Sequence, residues 1–163
     1  THVLLDPGVV SWPSAVKAFR PDVVMGNGTA WDVTDRLVPS LGEDWVWIGV
    51  PAYDEYISAE YRLASQVLGS TGAHVYWLEG AHIRREIRPQ NHPDRIDALN
   101  ALVREATADL RYVTAVPYRD FIGANGTERE REMRDDGVHL SDAGMSQVGD
   151  WLVDKVFFET AGS

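Results

Sequence analysis

Short apolar runs alternate along this chain with segments in which apolar side chains recur every three or four residues. The short runs are typical of buried strands and fall at residues 1–6, 23–28, 74–78 and 112–116. The wider spacing is typical of helices and covers residues 14–19, 54–69, 93–106 and 141–157. Because strands and helices alternate, we predict an α/β protein, a three-layer α/β/α sandwich with a mainly parallel, doubly wound sheet.

Two long segments have no clear period and are expected to be loops. The segment from Trp31 to Pro51 carries Trp45 and Trp47 among acidic residues, and it fits a wall of a substrate site and an aromatic-packed connection equally well. Residues 117–134 are rich in arginine and glutamate and lead to a turn. Ligands of parallel sheets bind beyond the carboxyl ends of the strands, so we expect a site among such segments.

Composition narrows the range of functions. With 163 residues, 44% of them hydrophobic, the chain can bury the core of one compact domain. It has no cysteine, which excludes disulfides, thiolate nucleophiles and cysteine metal sites. The formal charge of -10 argues against binding to nucleic acids or anionic lipid surfaces. No apolar run is long enough to span a bilayer and no stretch has the pattern of a signal peptide, so we expect neither a signal peptide nor membrane insertion by this chain.

The strongest chemical signal lies near the C-terminus, where Asp136 and His139 stand three residues apart around Gly137. A histidine takes and returns a proton near neutral pH, and it works best as a base when a carboxylate fixes its tautomer. Gly137 permits the sharp turn that this pairing requires, and Ser141 is a suitable N-cap for the helix that follows. The alternative is a surface turn with a merely hydrogen-bonded histidine, since short motifs often occur by chance.

Other chemistry is only weakly indicated. His82 and His92 lie ten residues apart, without helical spacing or an acid cluster, so we predict no metal site. In the same connection, Arg84, Arg85 and Arg88 could meet an anionic substrate group, but solvated charge is the simpler account. No Gly-x-Gly-x-x-Gly or P-loop motif is present, so a nucleotide-binding domain ranks last and no cofactor is expected.

Three stretches of the chain together resemble the SGNH (GDSL) hydrolase family. Asp136-Gly137-Val138-His139 is similar to the family's last block, in which an aspartate and a histidine complete a Ser-His-Asp triad. Arg20–Val24, followed by Trp31-Asp32, resembles a branch of the family that is associated with actinobacterial membrane acyltransferases. A third similarity is found at Pro93–Asn100. The resemblance covers most of the chain and implies a flavodoxin-like SGNH sheet with Asp136 and His139 as catalytic residues.

The resemblance also implies oxyanion or substrate-binding positions at Gly8, Trp31 and Asp32. Gly8 matches the glycine of the family's second block. Trp31 stands where the family has an oxyanion-hole asparagine, and it could donate only through its indole N–H. Asn27 lies nearby, but the pattern puts it on a predicted strand rather than at the end of the strand.

One family motif is missing, because no Gly-Asp-Ser, which carries the nucleophilic serine, occurs in the chain. We therefore interpret residues 1–163 as a single SGNH hydrolase-like domain that lacks its first strand and nucleophile block. A preceding segment or a second chain would supply them, unless the strand at residues 1–6 takes the place of the first strand. That last arrangement would make Ser11 or Ser14 the nucleophile, and neither lies in a suitable turn.

These signals predict an ester hydrolase or O-acyltransferase that acts on acyl esters, such as acetyl esters, of carbohydrate or cell-envelope glycan through a Ser-His-Asp mechanism. The alternative is a non-catalytic SGNH-like module that binds a glycan or a partner through its tryptophan-rich loop. The missing serine favours the module, and the paired base opposes it. The acyltransferase branch implies an extracytoplasmic or secreted location, although nothing in the composition excludes the cytoplasm.

Overall fold

The computed structural model describes residues 11–28, 31–85, 88 and 92–158, with side chains as far as residue 156. Its strands are β1 (Val23–Asn27), β2 (Arg36–Leu37), β3 (Trp45–Val46), β4 (His74–Leu78) and β5 (Val113–Val116). The α-helices are α1 (Trp12–Phe19), α2 (Pro51–Leu68), α3 (Pro93–Thr107), α4 (Tyr118–Ile122), α5 (Glu128–Met133) and α6 (Asp142–Val153). A π-helical segment, Asp154–Phe158, follows α6 directly.

The central sheet is parallel and has the order β1-β4-β5 within the described residues. Val23 pairs with His74, and Val75 pairs with Val113. Parallel neighbours need a long crossover connection, and α2 and α3 lie in these two crossovers. Three of the four predicted strands are therefore confirmed, whereas the strand predicted at residues 1–6 lies outside the described residues.

Successive residues of β4 point to opposite faces of the sheet. Val75 and Trp77 pack with apolar residues of α2 and α3, among them Ile57 and Leu99. Tyr76 packs on the other face, in a cluster that includes residues of α6 and the π-helical segment. Because both faces are buried, this strand reads as one continuous apolar run. The predicted α/β/α arrangement around a parallel sheet is confirmed.

Trp77 anchors the face of the sheet that lies against α2. Its indole N–H donates to Ser65 Oγ at 2.8 Å, and Ser65 Oγ donates in turn to the carbonyl of Tyr61 at 2.8 Å. The ring lies over Gly26, which is the residue paired with Trp77 in β1. A Cβ atom on Gly26 would come within 2.2 Å of the ring. The indole thus occupies the space that a side chain of β1 would take.

The two segments that were expected to be loops contain short elements, so that expectation is wrong. Within residues 31–51, β2 and β3 form an antiparallel pair. Within residues 117–134, the structure has α4 and α5, and the Thr127 side chain caps α5 by accepting from Glu130 N at 3.3 Å. Elements of two to six residues are shorter than the window in which hydrophobic periodicity can be recognised.

The longer helices follow their sequence signals closely. Helix α3 begins at Pro93, where proline was expected to begin it, and α2 begins at Pro51, slightly ahead of the predicted Asp54. Ser141 Oγ accepts from Gly144 N at 3.0 Å, which confirms Ser141 as the N-cap of α6. In the part of the chain that the structure describes, no helix combines the length and the apolarity needed to cross a membrane.

Candidate active site

The carboxyl ends of β1 and β4 lie side by side, because Asn27 pairs with Leu78. The two exit segments also touch, since Gly28 N donates to Leu78 O at 3.1 Å and a Cβ on Gly80 would come within 3.2 Å of Gly28 O. Asn100 of α3 holds the second exit by donating to Gly80 O and accepting from Gly80 N. Glycine allows this close approach of two backbones, because it has no side chain to separate them.

Asp136 and His139 belong to a tight turn between α5 and α6. Gly137 has a φ of +77°, in the left-handed region that favours glycine. Asp136 Oδ1 accepts from the backbone N–H groups of Val138 and His139, each at 2.8 Å. Asp136 Oδ2 lies 2.9 Å from His139 Nδ1. The structure therefore brings the two side chains together as the sequence analysis expected, while their catalytic role stays a prediction.

The turn keeps the Asp136 carboxyl ionised. The backbone N–H of His139, then its imidazole and the backbone N–H of Val138, hold the pKa of Asp136 well below its usual range. Arg85 lies within 3.2 Å of the same carboxylate. An ionised acceptor directs the proton of the neutral imidazole to Nδ1, which leaves the lone pair on Nε2. Nε2 makes no hydrogen bond within the described part of the chain, and the His139 side chain is 78% exposed.

An open cavity of about 290 Å³ lies beside the turn at the carboxyl edge of the sheet. Its lining comes from the strand exits, the connection after β4, α4 and the turn itself, and consists of Asn27, Gly28, Trp31, Gly80, Ala81, Ile83, Tyr118, Arg134, Val138 and His139. His139 thus lines one concave surface together with Asn27 and Trp31.

The other residues expected at the site do not all lie at the cavity. Trp31 lines the cavity and is 76% exposed. Asp32 is not among the described lining residues: its carboxylate accepts from Tyr61 at 2.9 Å, and its carbonyl accepts from Tyr53 at 3.0 Å. Burial is the main cause that raises the pKa of Tyr53 to about 12 and that of Tyr61 further, so both phenols remain donors. Gly8 lies outside the described residues.

Asn27 lines the candidate site, although it was not among the residues expected there. The predicted strand continued to Gly28 and put Asn27 inside it, but β1 ends at Asn27, so that expectation is wrong. The residue is exposed and lines the same cavity as His139. The Asn27-Gly28 pair was the available signal, because Asn-Gly is typical of the point where a strand gives way to a turn.

Three of the described serines form hydrogen bonds with groups other than the imidazole. Ser11 Oγ donates to Ser14 Oγ at 3.0 Å beside the start of α1, and Ser141 caps α6. Within the described ranges, no serine forms a hydrogen bond with His139. A nucleophile on Ser11 or Ser14 therefore has no support from these contacts.

The two histidines of the connection after β4 have separate partners. His82 Nε2 lies 2.7 Å from Asp97 Oδ1, and His92 Nδ1 accepts from Asp94 N at the start of α3. Among the residues that the structure describes, no group of three or more histidine, cysteine, aspartate or glutamate side chains is arranged to hold a metal ion.

A parallel sheet with helices on both faces and a cavity at its carboxyl edge defines a doubly wound α/β fold. The crystal structure of the lipase/acylhydrolase from Enterococcus faecalis shares this fold, with a TM-score of 0.61 and 16% sequence identity. The similarity covers 86% of this chain and 64% of that one, so the chain spans less than two thirds of the length of the lipase/acylhydrolase. No protein-family model and no curated protein matches the chain.

Proposed function

We propose that this chain carries the base and its carboxylate partner in an SGNH-type ester hydrolase or O-acyltransferase. The observation that carries the proposal is the Asp136–His139 pair, whose imidazole lines a cavity at the carboxyl edge of the sheet and keeps Nε2 available for a proton. An imidazole bound in this way to an ionised carboxylate is the arrangement that activates a hydroxyl group. The fold that the chain shares with a lipase/acylhydrolase agrees with this chemistry.

In the proposed reaction, a serine hydroxyl approaches His139 Nε2. The imidazole takes the serine proton while the serine oxygen bonds to the ester carbonyl carbon, which gives a tetrahedral oxyanion. Asp136 stabilises the imidazolium that forms. Collapse of the oxyanion breaks the bond to the alcohol, which takes the proton from Nε2 and leaves an acyl-serine. Water then completes hydrolysis, or a sugar hydroxyl completes transfer, by the same steps in reverse.

The side-chain amide of Asn27 is the donor that we propose for the oxyanion. It lies at the end of β1 and lines the cavity together with His139. The backbone N–H groups of Gly28 and Gly80 are already bonded to Leu78 O and Asn100 Oδ1, which leaves side chains as the natural choice.

The attacking serine of the proposed reaction lies outside the described residues. Within the described residues no serine forms a hydrogen bond with His139, and the chain has no Gly-Asp-Ser. We therefore propose that a preceding segment or a second chain presents the serine to Nε2. The exposure of His139 favours this, because a hydroxyl can reach the imidazole from outside.

The size and lining of the cavity favour a short acyl group on a carbohydrate. A volume of about 290 Å³ is at the small end of the range for ligand sites and suits an acetyl ester with part of a sugar ring better than a long acyl chain. Trp31 offers an exposed aromatic face at the rim, and such faces pack against the apolar side of sugar rings. If the chain belongs with the acyltransferase branch, its glycan substrate lies outside the cytoplasmic membrane.

The test measures how fast the full natural protein hydrolyses acetylated monosaccharides, with the released acetate as the readout. We expect His139→Gln to lower kcat by at least about 10³-fold, the range known for loss of a triad member. The matched control is His82→Gln, which removes another histidine that pairs with an aspartate and is expected to keep activity near wild type. Unchanged turnover in His139→Gln would remove the basis of the proposal.

Fluorophosphonate labelling with peptide mass spectrometry tests the source of the serine. We expect the adduct on a serine outside the described residues, on a preceding segment or on a co-purifying chain. An adduct on Ser11 or Ser14 would show instead that this chain holds its own nucleophile.

The second candidate function is a non-catalytic module that binds glycan. Two observations favour it: within the described residues no serine forms a hydrogen bond with His139, and Trp31 is largely exposed. Titration of the protein with an acetylated glycan, followed by tryptophan fluorescence, separates the two functions. Saturable binding without acetate release, unaltered in His139→Ala, supports the module. Binding with release that His139→Ala abolishes supports the enzyme.

A further inference from the structure

A buried ion cluster adjoins the Asp136–His139 turn and takes no part in the proposed reaction. The Glu130 side chain is fully buried, and that of Arg134 is 3% exposed. Glu130 Oε2 accepts from Arg84 Nε at 2.9 Å and from Gly126 N at 3.0 Å, and Oε1 lies 3.2 Å from an Arg134 nitrogen. An isolated carboxylate could not be buried so completely, and two guanidinium groups and a backbone N–H compensate for its lost hydration.

Arg84 joins this cluster to the turn. While its Nε binds Glu130, its terminal NH2 donates to the carbonyl oxygens of Arg134 and Asp135, at 2.8 and 2.7 Å. Its backbone N–H donates to Gly137 O at 3.0 Å. One residue thus binds three carbonyl groups of the segment 134–137 that leads to His139. The planar fork of a guanidinium group suits such a multiple contact, whereas the single ammonium of lysine does not.

Packing reinforces these hydrogen bonds. A Cβ atom on Gly137 would come within 2.6 Å of Arg84 Cβ, so the turn lies directly against Arg84. Downstream of His139, Ser141 N donates to Met133 O at 2.8 Å, which closes the turn on the end of α5. Glu130 and Arg84 are 46 positions apart in sequence, so the contact joins the connection after β4 to the segment before α6.

We propose that Arg84, held by Glu130, is a positioning residue for the Asp136–His139 pair. It fixes the backbone of the turn so that Asp136 Oδ2 meets His139 Nδ1 and the imidazole keeps one orientation. Buried ion clusters seldom add net stability over apolar packing, so a role in geometry explains the arrangement better than a role in stability. The catalytic meaning of this inference rests on the proposed function, whereas the fixed orientation of the imidazole does not.

The tautomer of His139 reports that orientation without any turnover. Long-range nitrogen–proton NMR correlations distinguish a histidine protonated on Nδ1 from one protonated on Nε2. Among the five histidines of the chain, the signals of His139 are identified by their loss in His139→Gln. We expect wild-type His139 to carry its proton on Nδ1. In Arg84→Met we expect a mixture of tautomers, because a loosened turn no longer holds Asp136 against Nδ1.

Arg62→Met is the matched control. Arg62 also binds a carboxylate and a backbone carbonyl, those of Asp109 and Ala106, but it lies between α2 and the end of α3. We expect this variant to keep the wild-type tautomer of His139 even where it unfolds at a lower urea concentration. We expect a mixture of tautomers in folded Arg84→Met and a wild-type spectrum in Arg62→Met. If Arg84 only stabilised the fold, the two variants would not differ in this way.

Kinetics give the second measurement. In Arg84→Met we expect kcat for the acetyl ester to fall about 10- to 100-fold, with KM changed less than about threefold, since a displaced base affects the reacting atoms more than substrate binding. Arg84→Lys keeps the positive charge beside Glu130, and it serves where Arg84→Met does not fold. A wild-type His139 spectrum in either folded variant would overturn the proposal. If the wild type hydrolyses no ester and the tautomer still responds, the proposed function fails and this inference stands.

Discussion

Replacement of Gly137 by alanine probes the turn without requiring any activity. A φ of +77° disfavours a residue that has a Cβ by about 1–2 kcal/mol. The new Cβ would lie 2.6 Å from Arg84 Cβ and 3.3 Å from Arg84 Cα, so only a separation of the two backbones relieves the contact, which adds about 1–3 kcal/mol. Alanine also lowers the conformational entropy of the unfolded chain, which offsets about 0.4–1 kcal/mol of this destabilisation. We expect a loss of about 3 kcal/mol in the free energy of unfolding.

Gly126→Ala is the matched control for this prediction. Gly126 has a φ of +81°, and the nearest atom to its Cβ would be the flexible end of Arg131 at 3.8 Å. An alanine at position 126 has the unfavourable positive φ but no steric conflict. We therefore expect a loss of about 1 kcal/mol in the free energy of unfolding. Urea unfolding followed by tryptophan fluorescence gives both values, provided that the m-values agree. Equal losses in the two variants would show that the turn does not press against Arg84 and would refute the reasoning.

Three further predictions concern the cavity and the aspartate. Asn27→Ala should lower kcat for an acetyl ester by about 10²- to 10³-fold with little change in KM, because it removes the proposed oxyanion donor; a change in KM alone, measured by steady-state kinetics, would argue against that role. Trp31→Ala should mainly raise KM for a sugar ester and leave KM for p-nitrophenyl acetate nearly unchanged, and equal effects on both substrates would contradict a sugar-stacking role. The pKa of Asp136 is lower in the folded chain than in the unfolded chain, where it is about 3.9. The ionised carboxylate therefore stabilises the fold fully at a pH above about 3.9, and this stabilisation is lost as the pH falls toward the pKa of the folded state. The difference in free energy of unfolding between wild type and Asp136→Asn, measured in urea at pH 6 and pH 3, should therefore be smaller at pH 3, and a larger difference there would contradict the assignment.

The fold was predictable where the pattern was long. The last four residues of β4 form one apolar run because the strand is buried on both faces, and α3 shows both a proline at its start and helical spacing over its full length. The helices α4 and α5 could not be predicted in this way. They have five and six residues, and most of their stability comes from tertiary contacts that a local window does not contain.

The site was predictable only in its local part. The Asp136–His139 pair lies within four residues, so spacing and the glycine between them were enough to predict their contact. The role of Arg84 was not visible, because its partners Glu130 and Asp135 lie far along the chain and meet it only when the connection after β4 packs on the end of α5. Arginines in an irregular segment are usually solvated, and only the fold shows that this one is not.

The packing of Trp77 over Gly26 has a consequence for how such chains can diverge. A larger residue at position 26 fits only after position 77 has become smaller, because the indole ring occupies the space of that side chain. Loss of the indole alone leaves a void and takes the N–H away from Ser65 Oγ. We therefore expect substitutions at the two positions to be coupled in homologous chains, with the change at position 77 coming first.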